Sequence, residues 1–401
     1  MKKLLMFLVL MVAGCFAFVS CDDDTVELDE MTKQTIIMFC PWSGDRMHSA
    51  ILNNIDSIES GIKSKNGLGN TRLLVFLSES SHSSKLFEIT YENKTFEHKT
   101  IAEYSDRPYT TVQGISDLIK KVKETAPAWN YAMIIGGHGT GWTNIGDWED
   151  YPYRMKRRTL PIEDETRFFG SVDDKNYAID VETLAEGIAN SDTKMQYILF
   201  DDCYMANVEV AYSLRNVTNF LVASTSEVMV IGMPYATMWA NLASLSPNYS
   251  GIVSSFDKFY SNYRMPYGTL SAIDCRQVEE LAGIMKQINA HYQLADTLID
   301  SLQTLDGFVP SIFYDMGDYV KQVCKDPNLY NKFSTKFSKV VPNSVHTDSI
   351  YSVIYGFKSY KKLKTFSGLT ITDPSLHSVA LKGKEKTEWW KATHDNVPQQ
   401  P

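Results

Sequence analysis

Six short apolar runs punctuate the first part of the chain, at 35–39, 73–77, 86–90, 131–135, 197–200 and 220–223. Most are nearly continuous in hydrophobicity, the pattern of strands covered on both faces rather than of strands with one wet face. Between them the period changes. Ile51, Leu52, Ile55 and Ile58 recur at helical spacing after the first run, and Leu118, Ile119 and Val122 do so before the fourth. Val181, Leu184, Ala185 and Ile188 precede the fifth run. The stretch 205–214, with Val208, Val210, Ala211 and Leu214, follows it. Strand and helix in alternation predict an α/β fold, a mostly parallel sheet flanked by helices.

Beyond about residue 254 the texture turns helical, notably over 278–302 and 314–324, with late strand-like runs near 349–354 and 369–371. This predicts a catalytic-type core over 34–253 and a C-terminal helical/β subdomain over 254–401. The N-terminus has a different character. Met1-Lys2-Lys3 precedes an uncharged apolar run that ends at Ser20, the layout of a secretory signal peptide. The run is short for a membrane span, which needs about 20 residues. Phe18-Val19-Ser20-Cys21 resembles the lipobox of bacterial lipoproteins, in which the cysteine carries the lipid. Val12-Ala13-Gly14-Cys15 fits the same pattern, but Asp22-Asp23-Asp24 after Cys21 suits an acidic tether over 21–33. The expectation is therefore an exported protein, lipid-anchored through Cys21 to the bacterial cell envelope, on the outer membrane and open to the surface.

A net charge of −9 argues against nucleic acid as a partner, because phosphate binding needs a basic face. The one basic cluster, Lys156-Arg157-Arg158, lies in a segment read as a loop. Past Cys15 and Cys21, the remaining cysteines (Cys40, Cys203, Cys275 and Cys324) are scattered and form no C-x-x-C pair. That disfavours a disulfide scaffold or structural zinc.

Chemistry concentrates where two runs end. The fourth leads into Gly136-Gly137-His138-Gly139-Thr140-Gly141-Trp142 and the fifth into Asp201-Asp202-Cys203-Tyr204-Met205. Parallel sheets deliver their active residues beyond the carboxyl ends of strands, so a histidine and a cysteine are expected in one crevice. Glycines beside His138 allow close backbone approach, and the amides of Gly139 and Cys203 suit a developing oxyanion. A helix starting at Tyr204 or Met205 would favour the Cys203 thiolate through its dipole. Asp201 and Asp202 would oppose it, so at least one is expected to point away from sulfur. Each residue alone also fits a bland role, Cys203 as a small core hydrophobe and His138 as a turn residue. Cys40, closing the first strand, is the rival nucleophile, without a comparable glycine-histidine partner. The remaining histidines are scattered. No H-E-x-x-H, G-x-S-x-G or G-x-x-x-x-G-K-[ST] motif is present.

The block from Ile198 through Asp201-Asp202-Cys203-Tyr204-Met205-Ala206-Asn207-Val208-Glu209-Val210-Ala211-Tyr212-Ser213-Leu214-Arg215 to Leu221-Val222-Ala223-Ser224, with the upstream Gly137-His138-Gly139, resembles the clostripain family of cysteine peptidases. Weaker similarity reaches the first strand and Phe366-Ser367-Gly368-Leu369-Thr370-Ile371. The resemblance implies a caspase-like fold, endopeptidase activity on a peptide or protein substrate, and a His138/Cys203 dyad. In relatives that cut after Arg or Lys, the acid matching Asp201 lines the specificity pocket. A second acid usually follows the Val-Ala-Ser strand; here only Glu227 stands near it, which weakens the case for basic specificity. The resemblance also implies cleavage between the two blocks, with Lys156, Arg157 and Arg158 as candidate positions in the 150–165 loop. Calcium dependence is implied by the family alone, since no D-x-D-x-D-G loop marks a site; no other cofactor is expected. The oligomeric state has no signal. Two other classes compete, a catalytically silent peptide- or protein-binding surface lipoprotein and a hydrolase or transferase acting on a non-peptide acyl group.

Overall fold

Seven residues of unbroken burial, Gln34–Cys40, form the strand around which the molecule is organised. In the computed structural model, which describes residues 32–41, 46–80, 82–105, 108–148, 178–352 and 360–395, this strand, β1, lies in the middle of a nine-stranded sheet. The other strands of this sheet follow in chain order: β2 (Thr71–Ser80), β3 (Ser83–Glu92), β4 (Thr95–Tyr104), β5 (Asn130–Gly136), β6 (Met195–Asp201), β7 (Thr218–Ala223), β8 (Thr269–Asp274) and β10 (Asn343–His346), while β9 (Tyr314–Asp315) pairs apart from it with Thr370–Ile371. The sheet order is β10-β8-β7-β6-β5-β1-β2-β3-β4. The central five strands, β2, β1, β5, β6 and β7, run parallel. The four outer strands join antiparallel, so the sheet is mixed.

Parallel neighbours require crossover connections, and helices supply them. Arg46–Ser64 carries the chain from β1 to β2, Val112–Thr125 leads from β4 into β5, Val181–Ala189 precedes β6, and Val208–Leu214 lies between β6 and β7. The helices pack in two groups. Arg46–Ser64 meets Tyr235–Leu242, where a Cβ on Gly61 would come within 2.6 Å of Trp239 Cβ. Val208–Leu214 meets Val181–Ala189, Val278–His291 and Glu388–Thr393. Leu, Ile, Val and aromatic side chains from both groups and the sheet form one continuous core. The described residues, from Thr32 onward, pack as one compact unit.

Three elements depart from the expectation. β4 is largely exposed and rich in Glu, His and Lys, so no apolar run announced it. β8 is wholly buried yet alternates Thr269 and Ser271 with apolar residues, and it sits in the segment read as helical. With β10 it extends the main sheet, so residues past 254 help build the same sheet as β1. The helix expected over 278–302 stops at His291 and gives way to a 3-10 turn at Asp296–Ser301. Among the described residues no helix is long and apolar enough to cross a membrane. Cys21 and the segment with Lys156, Arg157 and Arg158 lie outside the described residues.

Candidate active site

β5 and β6 pair in parallel, and the last matched couple is Gly136 with Asp201. His138 and Cys203 each stand two residues past that couple. Equal run-out from adjacent parallel strands brings the two segments side by side past the strand ends. The two segments touch closely: a Cβ built on Gly139 would lie 2.3 Å from the Cys203 carbonyl oxygen and 3.0 Å from its amide nitrogen. Only glycine permits this approach, since no real Cβ tolerates backbone that near. Gly141 has a second reason to be glycine. Its φ is +64°, and a Cβ there would meet Phe313 and the Asn207 side chain at 2.7 Å.

The turn that carries Cys203 is not the helix start expected from sequence. Tyr204 is left-handed, with φ 59°, an uncommon conformation for a bulky residue. The following helix begins only at Val208, capped by Asn207, whose Oδ1 accepts from the Val210 amide at 3.1 Å. A helix dipole therefore does not act directly on the sulfur. A different donor does: the Val228 amide points at Cys203 Sγ from 3.2 Å. A backbone N–H held on sulfur stabilises the thiolate more than the neutral thiol. The 224–228 loop, which follows β7, holds the turn at several points. The Tyr204 amide donates to Ser226 O at 3.0 Å and the Ala206 amide to Ser224 O at 2.8 Å. Thr269 in β8 anchors that loop, with its hydroxyl 2.8–3.0 Å from the Thr225 amide and the hydroxyls of Ser224 and Thr225. Ser224, Thr225, Ser226 and Thr269 are all buried.

Tyr204 ties the turn to the rest of the site. Its ring stacks on Phe313 with centroids 5.2 Å apart, and its hydroxyl donates to Glu227 Oε1 at 2.6 Å. Ser352 donates to the same oxygen at 2.5 Å. Asp201 is held by other elements. Its Oδ2 accepts from Asn54 Nδ2 at 2.8 Å and from the Tyr235 hydroxyl at 3.0 Å. Both acids are almost fully buried. Asn54 also lines a cavity of about 470 Å³ with Ser57, Val230, Ile231, Met233 and Arg264, so the Asp201 carboxylate is linked to that cavity through one amide. Cys40 packs in the core beneath this region, with a Cβ at Gly136 in ordinary contact, 3.5 Å, from its sulfur. Among the described residues, Cys40, Cys203, Cys275 and Cys324 form no disulfide. Nor do three His, Cys, Asp or Glu side chains group there to hold a metal ion.

Val228, Thr269, Asn54 and Tyr235 escaped the sequence reading. The Ser224-Thr225-Ser226 run was a usable signal, since three hydroxyls after a buried strand must find partners inside the protein.

Glu209, just past the nucleophile turn, is buried and accepts the Thr372 amide at 2.8 Å. Burial, reinforced by Asp373, pushes its carboxyl up to about 8 from the ordinary 4.5. The folded chain then keeps a proton that the unfolded chain releases. Its stabilising contribution is complete below about 4.5 and is lost as pH rises through about 8. Thermal melts should show the melting temperature falling from pH 5 to pH 8, and falling less in Glu209→Gln; parallel curves would contradict the assignment.

Comparisons with known proteins identify the family. The clostripain family profile matches residues 43–371. A secreted cysteine protease from Bacteroides thetaiotaomicron, "iotapain", is 42% identical, with a TM-score of 0.83 over 91% of this chain and 99% of that one. A clostripain from the same organism, solved in complex with the peptide inhibitor BTN-VLTK-AOMK, is 47% identical, with a TM-score of 0.54 over 57% of this chain and 99% of that one. An inactive zymogen protease from Parabacteroides distasonis is 22% identical, with a TM-score of 0.76 over 91% and 99% of the two chains, and supports the fold alone. Curated proteins give no significant match. The chain belongs to the clostripain family of cysteine peptidases and has its caspase-like fold.

Proposed function

We propose that this chain is an endopeptidase in which Cys203 is the nucleophile and His138 the acid/base partner. The observation that carries the reading is the equal run-out of β5 and β6 past Gly136 and Asp201, with Gly139 seated on the Cys203 peptide. In the forward step Cys203 Sγ bonds to the substrate carbonyl carbon, and the thiol proton passes to His138. The amides of Gly139 and Cys203 receive the oxyanion. His138 then returns the proton to the leaving amine as the C–N bond breaks. Water, deprotonated by the same imidazole, releases the acyl group and restores the thiol. The Val228 amide keeps the sulfur ready by favouring its charged form.

Basic side chains before the scissile bond suit Asp201, whose carboxylate pairs well with guanidinium or ammonium groups. A related clostripain is solved in complex with the peptide inhibitor BTN-VLTK-AOMK, which carries lysine at its reactive end. Glu227, committed to Tyr204 and Ser352, serves instead to hold the nucleophile turn. Asp201→Asn should lower kcat/KM for Lys and Arg substrates by ~10–100-fold and leave neutral substrates within a few-fold. An equal loss for both would assign Asp201 to structure alone.

Self-cleavage after Lys156, Arg157 or Arg158 follows from the same specificity. Purified wild type should run as fragments on a denaturing gel and Cys203→Ala as one band. A single intact band for both rejects self-processing. Export with a lipid on Cys21 places the enzyme on the cell envelope, and a relative named as secreted supports export.

A further inference from the structure

A second built site lies in the C-terminal part of the chain, in a cavity of about 650 Å³ whose lining includes neither His138 nor Cys203. At its wall sits Asp373, with a side chain only 5% exposed. Among the described residues, Asp373 Oδ2 receives no hydrogen bond. His394 Nε2 lies 3.9 Å away, and the Asn289 side chain and Lys384 are also near enough to favour the charged carboxylate. The histidine nitrogen is no donor to it. His394 Nδ1 lies 3.0 Å from the Thr393 hydroxyl, which itself donates to the Trp389 carbonyl, and 3.3 Å from the Trp390 carbonyl, so a proton on Nδ1 suits both neighbours. Burial lowers the histidine's proton affinity, and the neutral ring leaves Nε2 to accept from Asn289 Nδ2 at 3.1 Å.

The cations beside the cavity are committed elsewhere. Lys384 Nζ donates to the carbonyls of Asp373 and Ser375, and Lys391 pairs with Glu388. Burial raises the Asp373 carboxyl to about 7, with Lys384 acting against that rise. Asp296 and Glu385 add negative charge to the lining, and Tyr292 and Tyr319 add aromatic wall. A buried acceptor with no donor costs stability, and a cationic ligand would remove that cost.

We propose that this cavity binds a ligand carrying an ammonium or guanidinium group, which donates to Asp373 Oδ2 and lies against Tyr292. An N–H donor on a carboxylate and a cation against an aromatic ring are both strengthened by partial burial. Such a group could arrive on a free amine or on a Lys or Arg side chain of a peptide.

Calorimetric titration of the full chain at pH 8 tests this, with agmatine and an acetylated, amidated Gly-Lys-Gly peptide as probes and citrulline amide as the neutral control. Saturable binding of agmatine or the peptide, absent for citrulline amide, is expected. The tighter of the two identifies the source. Measured in an Asp201→Asn background, so that the proposed primary pocket adds no heat, Asp373→Asn should weaken binding by ~10-fold or more and Tyr292→Ala by about 3-fold. Undiminished binding in either variant, or no heat from either cationic probe at about 10 mM, would overturn the assignment.

Discussion

Cys203→Ala is expected to lower kcat/KM on peptide substrates by ~1,000-fold or more while leaving the fold intact. The sulfur supplies the bond that divides amide hydrolysis into two easier steps, and no neighbouring group can replace it. Cys40 is buried beneath the site and cannot take over. His138→Ala should cost ~100-fold or more by removing the proton relay. The double variant should be little worse than Cys203→Ala, because residues that act as a unit lose their effect together. Steady-state kinetics on a fluorogenic peptide decides this. Additive losses would mean that the two side chains do not serve one step.

The second large effect is expected at a residue without a side chain. Gly139→Ala would place a Cβ 2.3 Å from the Cys203 carbonyl oxygen and 2.9 Å from Asp202 Cβ. Both obstacles belong to the strand-end turn, so the backbone has to move. Overpacking of this kind costs roughly 1–3 kcal/mol of stability. The catalytic cost is larger, since about 1 Å of misplacement lowers rate by ~100-fold. Gly139→Ala should therefore fold, with a lowered melting temperature, and lose ~100-fold in kcat. Activity within a few-fold of wild type would show that the His138 and Cys203 segments are not in the contact described.

Much of this was legible before any coordinates. Continuous apolar runs at 35–39, 131–135 and 197–200 became β1, β5 and β6, because strands covered on both faces carry that signature wherever they occur. The same logic leads from these runs to two adjoining strand-end segments, one with His138 and Gly139 and one with Cys203, and Gly139 does lie against the Cys203 peptide. β8 was not legible. Thr269 and Ser271 are polar by composition, yet buried, because Thr269 is satisfied by the 224–226 loop, a partner more than 40 positions away in the chain. β4 is an edge strand whose exposed polar residues carry no burial signal. The thiolate's support was misplaced for a related reason. A strand-to-helix reading put a helix dipole behind Cys203, while Tyr204 takes a left-handed turn and leaves the role to the Val228 amide. Contacts that long-range pairing creates are visible only once the strands are assembled.

The central claim is that Cys203, activated beside His138, is the nucleophile of a peptidase. Treating the purified chain with a peptidyl acyloxymethyl ketone bearing lysine at its reactive end, then mapping the adduct by peptide mass spectrometry, tests it most directly. The account predicts one stoichiometric adduct on Cys203, absent from Cys203→Ala and strongly slowed in His138→Ala. An adduct on Cys40, or no adduct while the chain still cleaves peptides, would contradict it.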